Sequence, residues 1–479
     1  MRRHLRRICR GAAFCMVLAL SLPAGQVQAA GNTYVADEDG SLMPVPEAYE
    51  VYDCIYNLEE YGVMNHPQDI FVDGGDIYVA DTDNNRILKM DMDGTVKKEY
   101  TEAFGRGFST PGGIFRDKSG NIWVADTGNL RIAVIDGEGG DVAEYGKPDS
   151  ALLSENFAFD AQKIAVNSIG NIYALKGANL MTIDQANNFH GYLGAAEVGF
   201  SLSRLLIRTF GSQSQVERTL KQEPAAYSNF TIGADGMIYG ILATEEKDQI
   251  RRLNSVGNNT YPEGKYGLII EQRDKEEPVK PFFADIAVMD NGIITVVDKN
   301  TGLLYQYDQD GNLLAAFGGI GDYAGVYSVP VSLDVDENGF LYVLDYSANT
   351  ITILRPTEFI RLVHQAVTLY DAGKYAEARE YWQKVIDIDS NYALAHQGVG
   401  KVSCKEEDYK SAMEQYRLGD DREGYSEAYG EHRLELFRDN FLWITAAAFG
   451  ILFGLYKLIC LAKDKARRWA ELTQMGGDL

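Results

Sequence analysis

Over most of the chain, short apolar runs alternate with polar turns rich in Asp, Asn and Gly. This pattern predicts β-strands joined by tight hairpins, because Asn-Gly and Asp-Gly pairs tolerate the positive φ that such turns need. Two runs carry nearly the same sequence 45 residues apart: Ile77-Tyr-Val-Ala-Asp-Thr-Asp-Asn-Asn-Arg-Ile87 and Ile122-Trp-Val-Ala-Asp-Thr-Gly-Asn-Leu-Arg-Ile132. A fixed period of this length is typical of similar supersecondary units packed side by side.

Weaker copies of the same unit continue along the chain. We place six copies at Asp69–Glu102, Gly113–Tyr145, around Lys163–Tyr173, around Gly236–Ile241, at Asp285–Phe317 and at Ser332–Leu354. The sixth copy stops after three strands, whereas a strand-like run, Tyr49–Tyr56, stands alone before the first copy. We predict that this run supplies the outer strand of the sixth unit and closes a ring. The predicted fold is mainly β, a six-bladed β-propeller spanning residues 30–355.

The repeated motif Asp-Thr-x-Asn-x-Arg-Ile, together with the preceding Gly-Asn-Ile-Trp-Val-Ala, resembles the NHL repeat. It is carried by two sets of residues: Asp81, Asn84, Arg86 and Asp126, Asn129, Arg131. The resemblance covers residues 65–355, although the later copies lose the arginine. It implies a recognition platform, and some relatives are enzymes or RNA binders. Because these residues recur at equivalent positions, we interpret them as structural, with the aspartate closing its own turn and the arginine bridging neighbouring blades.

Residues 194–224 are an insertion between the third and fourth copies, longer than an ordinary connection. Long inserted loops on propellers often act as binding or lid elements. A tolerated surface insertion is equally compatible with the sequence.

After Pro356 the apolar spacing becomes helical. It predicts a helix pair at Phe359–Asp371 and Tyr375–Asp387, repeated 34 residues later. This period, with small residues where helices touch, resembles the tetratricopeptide (TPR) repeat. We predict two TPR-like repeats and a capping helix, Tyr425–Arg438, within residues 357–440. Such a segment either docks a partner protein or serves as a spacer.

The two ends of the chain predict a secreted protein with a membrane anchor. Residues 1–29 have the basic, apolar and small-residue regions of a cleavable signal peptide. Residues 441–462 carry one charge and are long enough to span a bilayer. Residues 463–479 begin with several Lys and Arg residues, which places this tail in the cytoplasm and the bulk of the chain outside, as in a single-pass type I protein. Within the span, Gly450 and Gly454 form a pair that would let two helices approach closely.

Composition narrows the function further. The formal net charge is −24, whereas nucleic-acid binders present basic patches, so a nucleic-acid partner is not expected. Outside the signal and the predicted span, Cys54 and Cys404 lie far apart in sequence, which argues against a disulfide framework.

Candidate chemistry is sparse. Asp334 to Asp345 matches the spacing of a calcium-binding EF-hand loop, but the residues after Gly339 form a strand pattern, so we predict a hairpin instead. His66 and His190 are the only histidines in the predicted propeller and lack metal-ligand spacing. We predict no catalytic residues, no metal ligands and no cofactor, and the sequence does not identify the binding residues.

These observations favour a membrane-anchored, extracytoplasmic recognition or scaffold protein that is not an enzyme. Its propeller would bind a glycan, a peptide or a protein, and its TPR-like segment would dock a membrane or envelope protein. The alternative is a propeller hydrolase or lactonase that uses a metal ion in the central channel. Resemblance to six-bladed lactonases implies calcium held by Glu, Asn and Asp, but no residues here could be matched to that set.

Overall fold

The computed structural model describes residues 32–36, 42–150, 153–193, 226–242, 247–270 and 278–475. The chain divides into two units, Met1–Thr368 and Leu369–Leu479. The predicted signal peptide and the predicted insertion at 194–224 lie outside the described residues.

The repeated apolar runs fold into six antiparallel sheets, the blades of a six-bladed β-propeller. The first three blades contain β4 (Asp69–Asp73), β5 (Asp76–Asp81), β6 (Arg86–Asp91) and β7 (Val96–Tyr100); β10 (Pro111–Arg116), β11 (Ile122–Asp126), β12 (Arg131–Ile135) and β13 (Asp141–Tyr145); and β14 (Lys163–Val166), β15 (Ile172–Lys176), β16 (Asn179–Ile183) and β17 (Phe189–Tyr192). The last three contain β18 (Tyr227–Ile232), β19 (Ile238–Leu242) and β20 (Ile250–Leu253); β21 (Phe283–Val288), β22 (Ile294–Asp298), β23 (Leu303–Tyr307) and β24 (Leu313–Gly318); and β25 (Pro330–Val335), β26 (Leu341–Asp345) and β27 (Thr350–Pro356).

The predicted ring closure is confirmed. Strand β3 (Tyr49–Ile55) pairs antiparallel with β27, with Tyr49 opposite Pro356 and Ile55 opposite Ile351. It thereby becomes the fourth strand of the sixth blade. The terminal strand covers an edge that the three strands of this blade would otherwise leave unpaired.

A hairpin that the sequence did not predict extends the fifth blade. Strands β1 (Thr33–Ala36) and β2 (Leu42–Val45) pair with each other, and β1 pairs with β24 through Tyr34 and Ala316. The fifth sheet therefore has six strands. A further short hairpin, β8 (Glu102–Ala103) and β9 (Arg106–Gly107), lies between the first and second blades.

The hydrophobic core lies between the blades. The second strand of a blade is covered on both faces, and all five residues of β11 are buried. This double burial explains why these strands read as continuous apolar runs rather than as strict alternation. Short 3-10 turns follow β5 and β11, at Thr82–Asn84 and Thr127–Asn129, and another lies at Glu59–Tyr61.

The C-terminal segment contains six helices: α1 (Glu358–Asp371), α2 (Tyr375–Ile388), α3 (Ala393–Lys405), α4 (Tyr409–Leu418), α5 (Arg422–Asp439) and α6 (Phe441–Met475). Successive helices from α2 to α5 pack on one another. Glycines permit close packing here, because a Cβ on Gly400 would lie 2.9 Å from the Tyr416 ring. The region Phe441–Ala470 of α6 is long and apolar enough to cross a membrane, a criterion of length and composition alone.

Candidate functional site

Six residues, one from the inner strand of each blade, occupy equivalent positions around the central channel. Each lies opposite the penultimate residue of the second strand in its blade. They are Asp69, Gly113, Lys163, Asn229, Asp285 and Ser332. Although the blades repeat in backbone, this channel ring does not repeat in chemistry.

The channel ring contains a buried ion network. The Lys163 Nζ atom lies 2.5 Å from Asp69 Oδ1 and 4.0 Å from Asp285 Oδ2. The Ser332 hydroxyl donates to Asp285 Oδ2, and the backbone amide of Ile114 donates to Asp69 Oδ2 at 2.7 Å. Both carboxylates are almost completely buried, with 1% of each residue exposed. The network therefore connects the inner strands of five blades. The first, third, fifth and sixth blades take part through side chains, and the second takes part through the backbone amide of Ile114.

Burial and charge set the protonation of this network. Burial lowers the pKa of Lys163, but the carboxylates of Asp285 and Asp69 outweigh it, so the net pKa is raised above its ordinary value. Burial raises the pKa of Asp285 to about 6, against the opposing effect of Lys163. Burial likewise raises the pKa of Asp334, further along β25, to about 7. Lys163 thus stays charged at neutral pH and compensates the carboxylates beside it.

This arrangement does not fit a channel metal. The carboxylates that would have to hold the ion, Asp69 and Asp285, already hold the ammonium group of Lys163. No group of three or more His, Cys, Asp or Glu with metal-binding geometry occurs among the described residues. The small cavity beside the network measures only about 20 Å³, which is far smaller than typical ligand pockets.

A much larger cleft opens at one mouth of the propeller. It has a volume of about 790 Å³. We call it the mouth cleft. Its walls are the turns between the first two strands of the first, fifth and sixth blades and the turn between the third and fourth strands of the first blade, together with parts of β3, β26 and α1. Its lining residues are Tyr52, Val72, Asp73, Gly74, Gly75, Met92, Asp93, Val288, Met289, Asp290, Asn291, Val335, Asp336, Glu337, Asn338, Gly339, Phe340, Tyr342 and His364. Five of them are acidic and none is Lys or Arg, so the described wall is negative as well as partly apolar and aromatic.

The acidic groups of the mouth cleft differ in availability. Asp73 is paired with Arg116, and Asp336 accepts hydrogen bonds from the amides of its own turn, at 2.9 Å from Asn338 and 2.8 Å from Phe340. In contrast, Asp93, Asp290 and Glu337 are exposed. Among the residues that the structure describes, these three carboxylates have no ion-pair or hydrogen-bond partner, which leaves them available to a ligand.

The NHL-like residues lie at the other end of the strands from the mouth cleft. In each of the two motifs the aspartate, the asparagine and the arginine are hydrogen-bonded to one another through the aspartate carboxylate. Arg86 Nε donates to Asp81 Oδ2 at 2.7 Å, and Arg131 Nε repeats this bond with Asp126 at 2.7 Å. The amides of Asn84 and Asn129 donate to the same carboxylates at 2.9 and 2.8 Å. Each arginine also binds backbone carbonyls of the segment before its blade.

The contacts between neighbouring blades differ from the expectation. The arginines stay with their own blade and its preceding segment, whereas the threonines of the motif reach the next blade. Thr82 Oγ1 donates to Pro111 O at 2.8 Å, and Thr127 Oγ1 donates to Ala161 O at 2.7 Å. These hydroxyl groups therefore join the 3-10 turn of one blade to the backbone at or just before the first strand of the next blade.

Of the remaining candidates, His66, His190 and the pair Gly450 and Gly454 line neither site, whereas the turn within Asp334 to Asp345 forms one wall of the mouth cleft. The hairpin interpretation of Asp334 to Asp345 is confirmed, because β25 and β26 pair directly across a turn closed by Asp336. His66 binds Asp83 at 2.7 Å and His190 binds Asp184 at 3.1 Å. In α6, a Cβ on Gly450 or Gly454 would meet nothing within 4 Å.

Comparisons with known proteins give one family match over part of the chain and several matches to solved structures. Residues 61–163 match the model of the SMP-30/Gluconolactonase/LRE-like region. No curated protein matches the chain. The solved structures that match include a streptogramin B lyase (16% identity, TM-score 0.39, covering 71% of this chain and 96% of the lyase). They also include a catalytically inactive virginiamycin B lyase from Staphylococcus aureus with quinupristin (14% identity, TM-score 0.42, 71% and 98%) and the WD40 β-propeller domain of Doa1 (10% identity, TM-score 0.38, 65% and 98%). The sequence of the first blades is thus similar to the SMP-30/gluconolactonase-like region, within a six-bladed propeller.

Proposed function

We propose that this protein is a membrane-anchored extracytoplasmic recognition protein whose mouth cleft holds the ligand. One observation carries the proposal: a cleft of about 790 Å³ opens at one mouth, while the channel ring is occupied by its own ion network. A site that binds without reacting needs shape and polar groups, which the cleft offers. An enzyme with a channel metal needs carboxylates that are free to bind the ion, whereas Asp69 and Asp285 here bind Lys163.

The anchoring proposal rests on the two ends of the chain. Residues 1–29 have the pattern of a cleavable signal peptide, and Phe441–Ala470 is apolar enough to span a bilayer. The basic residues after position 462 support a cytoplasmic tail. Protease protection of intact cells or vesicles tests this topology. External protease should degrade the propeller and leave an epitope on residues 463–479 intact.

For the helical segment we propose docking to a membrane or envelope protein. Helices α2 to α5 pack successively and bury small residues, as in the TPR repeat they resemble. In vivo crosslinking of the full chain, compared with a chain lacking residues 375–418, tests this role. Loss of a specific crosslinked membrane protein on deletion supports docking, whereas an unchanged set of crosslinks supports a spacer.

The second candidate function is a propeller hydrolase or lactonase. It is favoured by the match of residues 61–163 to the SMP-30/gluconolactonase-like model. Metal analysis of the full chain purified without chelators, combined with a lactone hydrolysis assay, separates the two functions. A stoichiometric ion together with hydrolysis that is lost on chelation would favour the enzyme over the recognition protein.

A further inference from the structure

Within the described part of the chain, the walls of the mouth cleft carry five carboxylates, which accept hydrogen bonds, and no Lys or Arg side chain to donate them. Asp93, Asp290 and Glu337 come from three different blades and are exposed without partners in the described structure. Two cations beside the cleft are already paired, since Arg116 binds Asp73 and Arg355 binds Glu50. The cleft therefore keeps a net negative charge after its internal ion pairs are counted.

A buried histidine adds one more acceptor to this wall. His364 on α1 lines the cleft, and only 9% of the residue is exposed. Its Nε2 atom lies 3.0 Å from Gln306 Oε1. The Nε2 group of Gln306 donates to Tyr49 Oη at 2.9 Å and to Thr295 Oγ1 at 3.0 Å, so its Oε1 can only accept. His364 must therefore carry its proton on Nε2.

The other ring nitrogen of His364 is consequently a free acceptor. Burial lowers the pKa of His364 to about 3, so the imidazole is neutral at physiological pH and has one N–H group. Its Nδ1 atom has no hydrogen-bond partner among the described residues. Nδ1 is not among the fully buried unpaired atoms of the described residues, so it is accessible from the cleft and can accept an N–H group there. This second observation, independent of the carboxylates, points to a ligand rich in N–H donors.

The apolar part of the wall suits the carbon chain that would carry such donors. Met92, Met289 and Phe340 line the cleft beside the carboxylates. Tyr52 already stacks with one guanidinium, since Arg355 lies 5.5 Å from the centre of its ring. Aromatic faces attract cations, and methionines adapt to flexible aliphatic chains.

We propose that the mouth cleft binds an organic cation, an ammonium or guanidinium group on an apolar chain, as in a polyamine or in the basic side chains of a peptide. The inference rests on the proposed recognition function, because it names the ligand class of the same cleft. Asp93, Asp290 and Glu337 attract the charge, His364 Nδ1 accepts one N–H group, and the apolar wall holds the chain.

Calorimetric titration of the full chain in nanodiscs of neutral phosphatidylcholine tests the proposal. The neutral lipid prevents the bilayer itself from collecting cations. The probes are spermidine, a short arginine-containing peptide, an acidic peptide of the same length and a neutral oligosaccharide. We expect spermidine, the basic peptide or both to bind, with affinity that falls as salt increases. Binding of the peptide alone identifies a peptide as the source of the cation, and binding of spermidine alone identifies a free amine.

A charge-matched pair of variants locates the binding. The triple variant Asp93→Asn, Asp290→Asn, Glu337→Gln should weaken binding of the cationic probe about tenfold, equivalent to ~1.4 kcal/mol. The control, Glu155→Gln, Glu263→Gln, Asp322→Asn, removes three exposed acids that do not line the cleft. It should change the affinity less than about twofold. All six side chains are exposed, so both variants are expected to fold.

Three outcomes overturn the inference: neither cationic probe binds, the acidic peptide binds equally well, or the two triple variants behave alike. If the neutral oligosaccharide or the acidic peptide binds and the cationic probes do not, the ligand class is wrong while the recognition function survives. If no probe binds and crosslinking recovers no partner, the recognition function fails as well.

Discussion

Replacing Lys163 with methionine is the sharpest test of how the propeller is held together at its axis. The substitution keeps an unbranched side chain, one atom shorter, but removes the ammonium that lies 2.5 Å from Asp69 and 4.0 Å from Asp285. The two carboxylates, each 1% exposed, would then face each other without compensation. Removing one partner of a buried ion pair typically costs about 3–5 kcal/mol. Against a total stability of about 5–15 kcal/mol for a typical domain, this is a large share.

The matched control lies on the same blade. Lys176 at the end of β15 pairs with Asp160, and that carboxylate is 40% exposed. Because water screens this pair, Lys176→Met should cost only about 0–1 kcal/mol. Denaturant unfolding of the full chain in detergent, followed by tryptophan fluorescence, measures both free energies.

A further variant separates lost attraction from stranded charge. Adding Asp69→Asn and Asp285→Asn to Lys163→Met removes the uncompensated carboxylates, and we expect most of the lost stability to return. If Lys163→Met costs no more than Lys176→Met, or if the triple variant is less stable than Lys163→Met alone, the network does not hold the channel as inferred.

Three other predictions concern single positions. The folded-state pKa of Asp334 is about 7, above its ordinary value of 3.8, so ionisation disfavours the folded state and the unfolding free energy should fall as pH rises from about 4 to 7. Asp334→Asn should make this part of the pH profile shallower, and an equally steep profile would contradict the assignment. Leu130 has φ 57° and is exposed. Leu130→Asn should raise the unfolding free energy by about 0.5–1 kcal/mol, since Asn tolerates the left-handed region better. A decrease would show that the contacts of the Leu130 side chain stabilise the fold by more than its backbone strain costs. A Cβ at Gly400 would lie 2.9 Å from the Tyr416 ring, so Gly400→Ala should lower the unfolding free energy by about 1–3 kcal/mol, measured by thermal unfolding. The control is Gly430→Ala in α5, where an added Cβ meets nothing within 4 Å. It should be neutral or mildly stabilising in the same thermal unfolding measurement.

The sequence determined the repeated architecture of this protein, for reasons that lie within short stretches of chain. Alternation and turn residues indicated the strands, and the unpaired run beginning at Tyr49 indicated how the ring closes, as β3 and β27 confirm. Helical spacing indicated α2 almost to the residue, because Tyr375–Asp387 was expected and Tyr375–Ile388 is observed. Local periodicity sufficed because each strand or helix buries its own apolar face.

The channel ring was only partly accessible from the sequence. Lys163, Asp285 and Ser332 precede the strand-end residues Lys176, Asp298 and Asp345 by the same spacing, so aligning the blades on that end would have revealed a polar set. Such an alignment shows that these residues hold equivalent positions in their blades, but it does not show that their side chains touch. The blades share a backbone geometry, and only their arrangement in a circle brings a lysine and an aspartate separated by 94 positions within 2.5 Å.

The mouth cleft and the links between blades were decided by the tertiary structure alone. The cleft joins turns from the first, fifth and sixth blades to a histidine on α1, and no local pattern reports which turns meet. Repetition likewise identified the Asp-Thr-x-Asn-x-Arg motif as structural without showing that threonine, rather than arginine, reaches the next blade. The physical reason is the same in each case: periodicity specifies which face of an element is buried, whereas ring closure specifies what that face meets.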